Sequence, residues 1–390
     1  MSKKFILIES NNFEDFPIGG TLSFSKHLIS IFKEDIKLVG LETGNEPCGI
    51  WRKKIINGIE YDYFGIARYK SKKNFVPIRL KTVICLFFYR KKIFNDSIKN
   101  YFTQSPHFLF VLSKIKGKNS LCFRFAGTGN SISLSKYKFA RIFGNVYERF
   151  LFKSIKNGVD CVLASADKKA IKKIIDRSKG KLNNIEITQF PTRFNPLVFF
   201  PANKMESRDN LGLPKNKKII SIIGRLADIK GWKLALESFE LLNRNMEHLL
   251  IFVGEGEARI KINEYSKIIN QQDFVLITGK LSPQQVSLYI NSSDVILVTS
   301  FVEGWPTVIV ESMACGKNVV STDIGGAGDL IENNVNGFVI NERAAHLINE
   351  SIKKSFELPD PNKDAVKKSI KYSINNLKKD LSEIWFSKIK

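Results

Sequence analysis

Short apolar runs alternate with amphipathic segments through the second half of the chain, and this rhythm constrains the fold more than any other feature. The segments between the runs carry apolar residues at helical spacing. Uninterrupted apolar runs are typical of strands that helices cover on both faces. Strands that alternate with helices predict βαβ units around a parallel sheet. The apolar runs lie at residues 219–223, 249–253, 274–278, 295–298 and 318–321.

The first half repeats this rhythm less regularly. Its predicted strands lie at 5–9, 36–41, 121–125 and 161–164, and its predicted helices lie at 21–32 and 138–156. The chain has 390 residues, which is enough for two ordinary domains with full hydrophobic cores. We therefore predict an α/β protein with two Rossmann-like domains, each built on a parallel sheet.

Four prolines set among polar residues indicate where the two domains meet. They are Pro191, Pro196, Pro201 and Pro214. We place the N-terminal domain at 1–195, a linker at 196–216 and the C-terminal domain at 217–370. For residues 371–390 we expect a helix, and packing back on the N-terminal domain is one arrangement open to it.

The cysteines and the apolar segments indicate a reducing, cytoplasmic setting. The cysteines are odd in number, scattered and free of CxxC spacing, so they suggest neither a disulfide framework nor a zinc site. The apolar stretch near the N-terminus spans only four residues before Glu9, which is too short for the core of a signal peptide. No stretch reaches the roughly 18 apolar residues that a membrane helix needs. The cysteines are Cys48, Cys85, Cys122, Cys161 and Cys315.

Two junctions between a strand and a helix carry glycines or cations that could bind phosphate. Ligands of open α/β sheets bind at the carboxyl ends of strands, where helix N-termini present unpaired N–H groups. Gly19 and Gly20 follow the first strand, and Gly224, Arg225 and Lys230 follow the first strand of the second domain. The glycines allow a close approach of a phosphate to the backbone. A Gly-Gly pair is more often only a turn, however, and the cations could equally be solvated loop charges.

A third junction carries two carboxylates. Glu303 stands before Pro306, a residue that suits the first turn of a helix, and Glu311 lies within that helix. Two carboxylates placed across a helix N-terminus could reach both ends of a bound polyol. The alternative is a capping glutamate at 303 and an ordinary helical glutamate at 311.

Together these elements resemble the retaining GT-B glycosyltransferases, in particular the large group known as family 4. The resemblance covers most of residues 215–345, and its motif of two glutamates separated by seven residues runs from Glu303 to Glu311. It implies two Rossmann-like domains whose parallel sheets face a cleft. The other matching segments are Val253-Gly254-Glu255-Gly256, 312–316, 319–326, 326–331 and Asn336-Gly337-Phe338.

The resemblance also implies roles for individual residues. Arg225 and Lys230 would act with Glu303 in catalysis: the two cations would neutralise the donor diphosphate, and the carboxylate would face the transferred sugar. Glu311 would bind the ribose hydroxyls of the nucleotide. Because two basic side chains would replace a metal ion, we expect no metal and no other cofactor. Further donor contacts are expected at Gly19, Gly20, Gly224, Gly304, Trp305, Pro306 and Thr307.

One feature departs from that family. Its members often carry a histidine after a first-domain strand, near the primary hydroxyl of the sugar. Here Ala126 or Gly127 takes that place, and none of the four histidines fits it well. Arg124, Thr128 or Asn130 could supply a polar contact instead.

The basic residues lie almost entirely in the first half. Residues 1–195 contain 36 Lys and Arg against 15 Asp and Glu, whereas residues 196–390 contain 25 against 23. The apolar segment 83–89 lies within the most basic stretch and suits a bilayer interface; an ordinary buried helix or strand with solvated flanks is the alternative. An anionic membrane surface is the partner that we expect for this half. The candidate membrane residues are Arg79, Lys81, Phe87, Phe88, Arg90, Lys91 and Lys92.

These features predict a bacterial-type retaining glycosyltransferase on the inner face of the cell membrane. It would move a hexose or N-acetylhexosamine from a nucleotide sugar to a glycan acceptor, which a membrane location suggests is lipid-linked. Assembly of lipopolysaccharide or another surface polysaccharide would be its context. An inactive relative that binds a nucleotide sugar as a sensor or scaffold is the alternative. Nucleic acid is not expected as a partner, because no signature of DNA or RNA binding is present.

Overall fold

The computed structural model divides the chain into two compact units. Unit 1 comprises Met1–Thr192 and Asn375–Lys390, and unit 2 comprises Arg193–Ile374. The structure describes residues 4–17, 19–69, 77–94, 97–127, 144–243 and 245–388. Within these ranges, each helix is too short or too polar to span a bilayer.

Unit 1 is built on a sheet for which the described residues give eight strands, in the order β3-β4-β2-β1-β5-β6-β7-β8. The strands are β1 (Phe5–Ile8), β2 (Ile36–Glu42), β3 (Trp51–Ile56), β4 (Ile59–Arg68), β5 (Asn100–Thr103), β6 (Ser120–Phe125), β7 (Cys161–Ala164) and β8 (Ile187–Gln189). All neighbours pair in parallel except β3 and β4. Those two form a hairpin because Asn57 and Gly58 between them adopt positive φ angles, as a tight two-residue turn requires.

Helices cover both faces of this sheet. Side chains such as Ile6 and Ile8 in β1 pack with α2 to α5, whereas the alternating Phe5 and Leu7 pack with α1 and α14. Of the predicted helix 138–156, residues 138–143 lie outside the described ranges, and the described part begins at Gly144. The helices of unit 1 are α1 (Gly20–Phe32), α2 (Ile78–Phe94), α3 (Leu109–Ile115), α4 (Gly144–Gly158), α5 (Lys168–Arg177) and α14 (Leu377–Ile384).

Unit 2 is a doubly wound domain with a parallel sheet in the order β11-β10-β9-β12-β13-β14. Its strands are β9 (Lys218–Ile223), β10 (His248–Val253), β11 (Val275–Ile277), β12 (Val295–Val298), β13 (Asn318–Thr322) and β14 (Gly337–Ile340). Its helices are α6 (Lys204–Leu211), α7 (Trp232–Leu242), α8 (Arg259–Ile268), α9 (Pro283–Ser292), α10 (Thr307–Ala314), α11 (Ala327–Leu330), α12 (Ala345–Ser355) and α13 (Lys363–Ser369). The parallel sheets of both units agree with the predicted fold class.

Residues 196–216 are not a linker in the structure but part of unit 2. Asn203 caps the N-terminus of α6, and Gly212 ends the helix in the left-handed conformation. The buried Arg208 of α6 donates to Asp294 (2.6 Å) and to the carbonyl oxygen of Ser292 (2.9 Å), at the start of β12. The boundary between the units lies between Pro191 and Pro196, close to the predicted position, but residues 196–216 belong to unit 2 because a buried ion pair fixes them to its sheet.

Replacing Arg208 by Ala should destabilise unit 2, because the Asp294 carboxylate would lose its closest buried cation. We expect a loss of about 3–5 kcal/mol in the free energy of unfolding, measured by urea denaturation. The matched control is Lys215→Ala, which removes an exposed ion pair to Asp209 and should cost less than about 1 kcal/mol. Equal losses in the two variants would contradict the assignment of this pair as the anchor of α6.

Candidate active site

Two glycine-dependent contacts shape the loop that follows β9. Gly224 has a φ of 137°, and a Cβ atom at Gly254 would lie only 1.9 Å from its carbonyl oxygen. A Cβ atom at Gly256 would likewise lie 2.2 Å from the carbonyl oxygen of Leu226. The segment Val253-Gly254-Glu255-Gly256 thus packs its backbone directly against the loop, which only glycine permits.

Lys230 and Glu303, which the sequence places 73 residues apart, form an ion pair in the structure. Lys230 ends the short 3₁₀ turn Asp228–Lys230 after β9, and Glu303 lies in the loop after β12, the neighbouring strand. The Ser300 hydroxyl also donates to Glu303 (2.8 Å). Lys230 remains 31% exposed and Glu303 19%, so both charges can be reached by a ligand.

A second set of contacts fixes the loops that carry this pair. A Cβ atom at Gly231 would lie 1.9 Å from the carbonyl oxygen of Thr299, and the Thr299 hydroxyl donates to the carbonyl oxygen of Lys230 (3.1 Å). Arg343, which follows β14, donates to the carbonyl oxygens of Ser300 (2.7 Å) and Thr299 (2.9 Å). Sequence analysis did not identify Arg343, because a lone arginine in a polar loop belongs to no motif.

Glu311 lies in α10 with a partly exposed side chain and no charged partner. Among the described residues, no hydrogen bond or ion pair reaches its carboxylate, and burial raises its pKa to about 7. Its neighbours Ile309, Val310 and Met313 fill the core, which fixes the side of the helix on which Glu311 lies. A desolvated carboxylate of this kind can accept hydrogen bonds from the hydroxyl groups of a ligand.

The remaining predicted donor contacts of unit 2 lie around these carboxylates, with Pro306 directly before α10 and Thr307 as its first residue. The Trp305 side chain is buried in the core against Tyr372, with ring centroids 5.3 Å apart. A Cβ atom at Gly325 would lie 2.8 Å from the carbonyl oxygen of Gly304. The Trp305 side chain therefore packs in the core beneath its own loop and is not presented to solvent.

Arg225 stands one residue after Gly224 with an exposed side chain. In the part of the chain that the structure describes, it forms no ion pair, either with Glu303 or with another acid. The structure thus brings Lys230 and Glu303 together and leaves Arg225 unengaged beside them. No group of three His, Cys, Asp or Glu side chains suited to a metal ion occurs among the described residues.

The predicted contacts of the N-terminal domain fall into three groups. Gly19 and Gly20 open α1, and a Cβ atom at either would meet no atom within 4 Å, which leaves space above the helix N-terminus. Arg124 is fully buried, and its guanidinium donates to the Phe190 carbonyl oxygen, to Gln104 and to Thr192. Because these groups of unit 1 occupy the guanidinium in the core, Arg124 is not available to a ligand. Thr128 and Asn130 lie outside the described residues.

Unit 1 contains a cavity of about 500 Å³ that Gly19, Ala126 and Gly127 line. His107 lines it as well, although sequence analysis assigned this histidine no role. Its side chain is buried, and its Nε2 has no hydrogen-bond partner among the described residues. Burial, together with the charge of Arg79, lowers the pKa of His107 to about 3, so its imidazole is neutral.

The candidate membrane segment is the helix α2, with one face buried and one exposed. Leu86 and Ile93 pack into the core, whereas Phe87 is 48% and Phe88 70% exposed. Three of the predicted cations donate to backbone carbonyl oxygens, Lys81 to Arg68, Arg90 to Phe87 and Lys92 to Gly49. In the described part of the chain, Arg79, Arg90 and Lys91 form no ion pair.

Known proteins resemble this chain both in sequence and in fold. A putative teichuronic acid biosynthesis glycosyltransferase, TuaC of Bacillus subtilis, is 28% identical over 53% of this chain and 50% of its own length. The amylovoran biosynthesis glycosyltransferase AmsK of Erwinia amylovora is 28% identical over 43% of this chain and 40% of its own. The chain thus spans about half the length, or less, of these curated relatives.

Two solved structures match nearly the whole chain. Sucrose-phosphate synthase from Thermosynechococcus elongatus has a TM-score of 0.77 at 14% identity and 98% coverage of both chains. Anabaena HepE in complex with UDP-glucose has a TM-score of 0.71 at 17% identity, with 98% of this chain and 99% of its own covered. The family model of the group 1 glycosyl transferases matches residues 203–372. Residues 203–372, all in unit 2, are thus similar to the group 1 glycosyl transferases, and the chain has the GT-B fold.

Proposed function

We propose that this protein is a retaining glycosyltransferase that moves a hexose or N-acetylhexosamine from a nucleotide sugar to a glycan acceptor. The observation that carries the proposal is the group of charges at the carboxyl edge of the unit 2 sheet. There Lys230 pairs with Glu303, Arg225 has no described ionic partner, and Glu311 has neither an ionic nor a hydrogen-bond partner. The cations Lys230 and Arg225 suit the phosphates of a ligand, and the Glu311 carboxylate suits its hydroxyl groups.

The two cations would act on the leaving group. Cleavage of a glycosyl–phosphate bond builds negative charge on the nucleoside diphosphate, and fixed cations placed at that charge lower the barrier. Lys230 and Arg225 would serve there, so the reaction would need no metal ion. Glu303 would face the transferred sugar while its Ser300 hydrogen bond keeps it in place.

Glu311 would hold the nucleotide. A ribose offers two adjacent hydroxyls, and the carboxylate of Glu311 has its full capacity to accept hydrogen bonds because no described group uses it. HepE binds UDP-glucose in a structure of the same fold, which supports a nucleotide sugar as the donor here. The names of TuaC and AmsK support a surface polysaccharide as the product.

The excess of positive charge in residues 1–195 supports a lipid-linked acceptor and a location at the inner face of the cell membrane. A catalytically inactive binder of nucleotide sugars is the second candidate, favoured by the absence of a histidine at Ala126 and Gly127. Turnover separates the two. Transfer or hydrolysis of the donor supports an enzyme, and tight donor binding without any turnover supports a sensor.

Removing the Lys230 charge should slow the reaction more than it weakens donor binding. We expect Lys230→Ala to reduce kcat by about 10²–10³-fold, because a fixed donor to the developing charge is lost. Lys230→Arg should recover part of the rate, and the exposed Lys233→Ala serves as the control.

Wild-type activity in EDTA should match activity in Mg²⁺; activity that requires Mg²⁺ would overturn the metal-independent mechanism.

Glu311→Gln should separate the contribution of this residue to donor binding from its effect on the stability of the protein. Because the folded protein holds the Glu311 proton up to about pH 7, its ionisation costs stability as pH rises from the ordinary pKa of about 4.5 through 7. The variant should therefore have a higher melting temperature than wild type at pH 8, by about 2–4 °C per kcal/mol of stability gained. At pH 4 the two proteins should have the same melting temperature.

Donor affinity of the same variant should fall, because an amide cannot accept two hydroxyl donors as a carboxylate does. A nucleotide-sugar panel read by thermal shift at pH 8 gives the affinity, and a melt without ligand gives the stability. A variant that melts lower than wild type and binds donor normally would mean that Glu311 is structural.

A further inference from the structure

Helices α2, α3 and α4 are three of the four helices that cover one face of the unit 1 sheet. The buried Leu86 of α2, Leu112 of α3 and Phe152 of α4 belong to the same core cluster, so their helices face the sheet with these sides. The opposite sides of α2, α3 and α4 form an outer surface of unit 1. We call the outward sides of these three helices the three-helix face.

The three-helix face exposes large apolar side chains at helical spacing. In α2 they are Leu80 (53% exposed), Ile84 (45%), Phe87 (48%) and Phe88 (70%), at positions i, i+4, i+7 and i+8 of one stripe. In α4, Val146 (49%) and Phe150 (57%) repeat the i, i+4 pattern. A groove of about 450 Å³ lies between α2 and α3, and Ile84, Phe87, Phe88 and Phe110 are among the residues that line it. Contiguous exposed apolar surface of this kind marks an interaction site.

The charge of these helices is almost entirely positive. The three sequences contain nine Lys and Arg and one acid, Glu148, which pairs with Arg177 at 3.0 Å. Arg90 lies over the Phe87 ring, 4.3 Å from its centroid, so a cation stands at the edge of the apolar stripe. The nine cations are Arg79, Lys81, Arg90, Lys91, Lys92, Lys114, Arg149, Lys153 and Lys156.

We propose that the three-helix face docks on an anionic lipid bilayer and that its groove receives an apolar chain from that bilayer. Aromatic side chains framed by cations suit the interface between headgroups and acyl chains. Arg90, Lys91 and Lys114 bind the phosphates of the headgroups, while Phe87 and Phe88 lie among the chains. A protein partner with an acidic surface would not explain an apolar groove rimmed by lysine and arginine as directly.

The same helices connect the docking surface to the cavity of unit 1. Ile78 and Arg79 in the first turn of α2 line the cavity, as does His107 just before α3, while Phe88 lies in the groove. Nine residues of helix separate Arg79 from Phe88, a rise of about 14 Å. A lipid-linked acceptor whose tail lies in the bilayer would present its polar head to the cavity. This step rests on the proposed function; the docking itself does not.

Vesicle co-sedimentation of the full-length protein tests the docking. Wild type should bind vesicles of phosphatidylcholine with 30% phosphatidylglycerol, should ignore pure phosphatidylcholine, and should dissociate as salt rises because the contacts are ionic. Two double variants, Phe87→Ser with Phe88→Ser and Arg90→Glu with Lys91→Glu, should each lose at least tenfold in binding.

Two control variants make the same kinds of substitution at exposed positions outside the three-helix face. Lys353→Glu with Lys354→Glu makes the same charge change on α12 of unit 2, at two adjacent exposed positions. Ile260→Ser with Ile268→Ser removes two exposed apolar side chains, 69% and 73% exposed, from unit 2. Both controls should bind anionic vesicles nearly as wild type does. A melting curve for every variant shows whether lost binding comes only from unfolding.

Insertion of the apolar stripe has its own readout. The tryptophan in Phe88→Trp should be quenched by brominated lipid chains in anionic vesicles, whereas that in Ile268→Trp should not. Equal binding to neutral and anionic vesicles, no binding to either, or controls that lose as much as the patch variants would overturn the proposal. So would self-association through the patch, seen by analytical ultracentrifugation as dimers that Phe87→Ser with Phe88→Ser abolishes.

Donor turnover in the absence of lipid separates this proposal from the proposed function. If the protein hydrolyses or transfers from a nucleotide sugar without vesicles but never binds them, the docking is wrong and glycosyl transfer stands. If it binds anionic vesicles through α2 and shows no turnover, docking stands and catalysis is wrong.

Discussion

The close approach of backbone to backbone at the carboxyl edge of the second sheet is the constraint on which the candidate site depends. Gly231 and Gly254 each lie where a Cβ atom would come within 1.9 Å of a carbonyl oxygen. Any side chain there would push the loops after β9, β10 and β12 apart. Lys230 and Glu303 stand on loops that these contacts hold together, so their pairing follows from the missing side chains of the glycines rather than from the attraction of the charges.

That ion pair contributes little to the stability of the fold. Both partners are partly exposed, and pairs of this kind are worth about 0–1 kcal/mol. Under the proposed function this weak pair would open when a diphosphate offers Lys230 a stronger partner, whereas Arg343 and its two carbonyl acceptors hold the loops in place. Preorganised loops and an exchangeable salt bridge together allow a cation to move onto a ligand without a rearrangement of the backbone.

The sequence predicted most of the fold and part of the site, for identifiable reasons. Uninterrupted apolar runs specify parallel strands, and local motifs pick out Glu303, Lys230 and the glycines. Arg343 was missed because its partners are backbone carbonyls of a loop distant in sequence, which leave no side-chain pattern. Residues 196–216 were misjudged because the buried pair of Arg208 with Asp294 joins residues 86 apart. Arg124 was given a ligand contact because exposure cannot be judged from a single strand residue.

Two glutamates with raised pKa values differ in whether the protein supplies their carboxyl groups with hydrogen-bond donors. Burial raises the pKa of Glu9 to about 8 and that of Glu311 to about 7. Glu9 is fully buried, and it accepts hydrogen bonds from the Gln104 backbone N–H (2.5 Å) and the Ser105 hydroxyl (2.8 Å), which use it to join β1 to the end of β5. Glu311 is partly exposed and, among the described residues, accepts no hydrogen bond from a protein donor. Desolvation of a carboxylate costs stability unless donors satisfy it, so under the proposed function the ribose hydroxyls would recover part of this cost at Glu311.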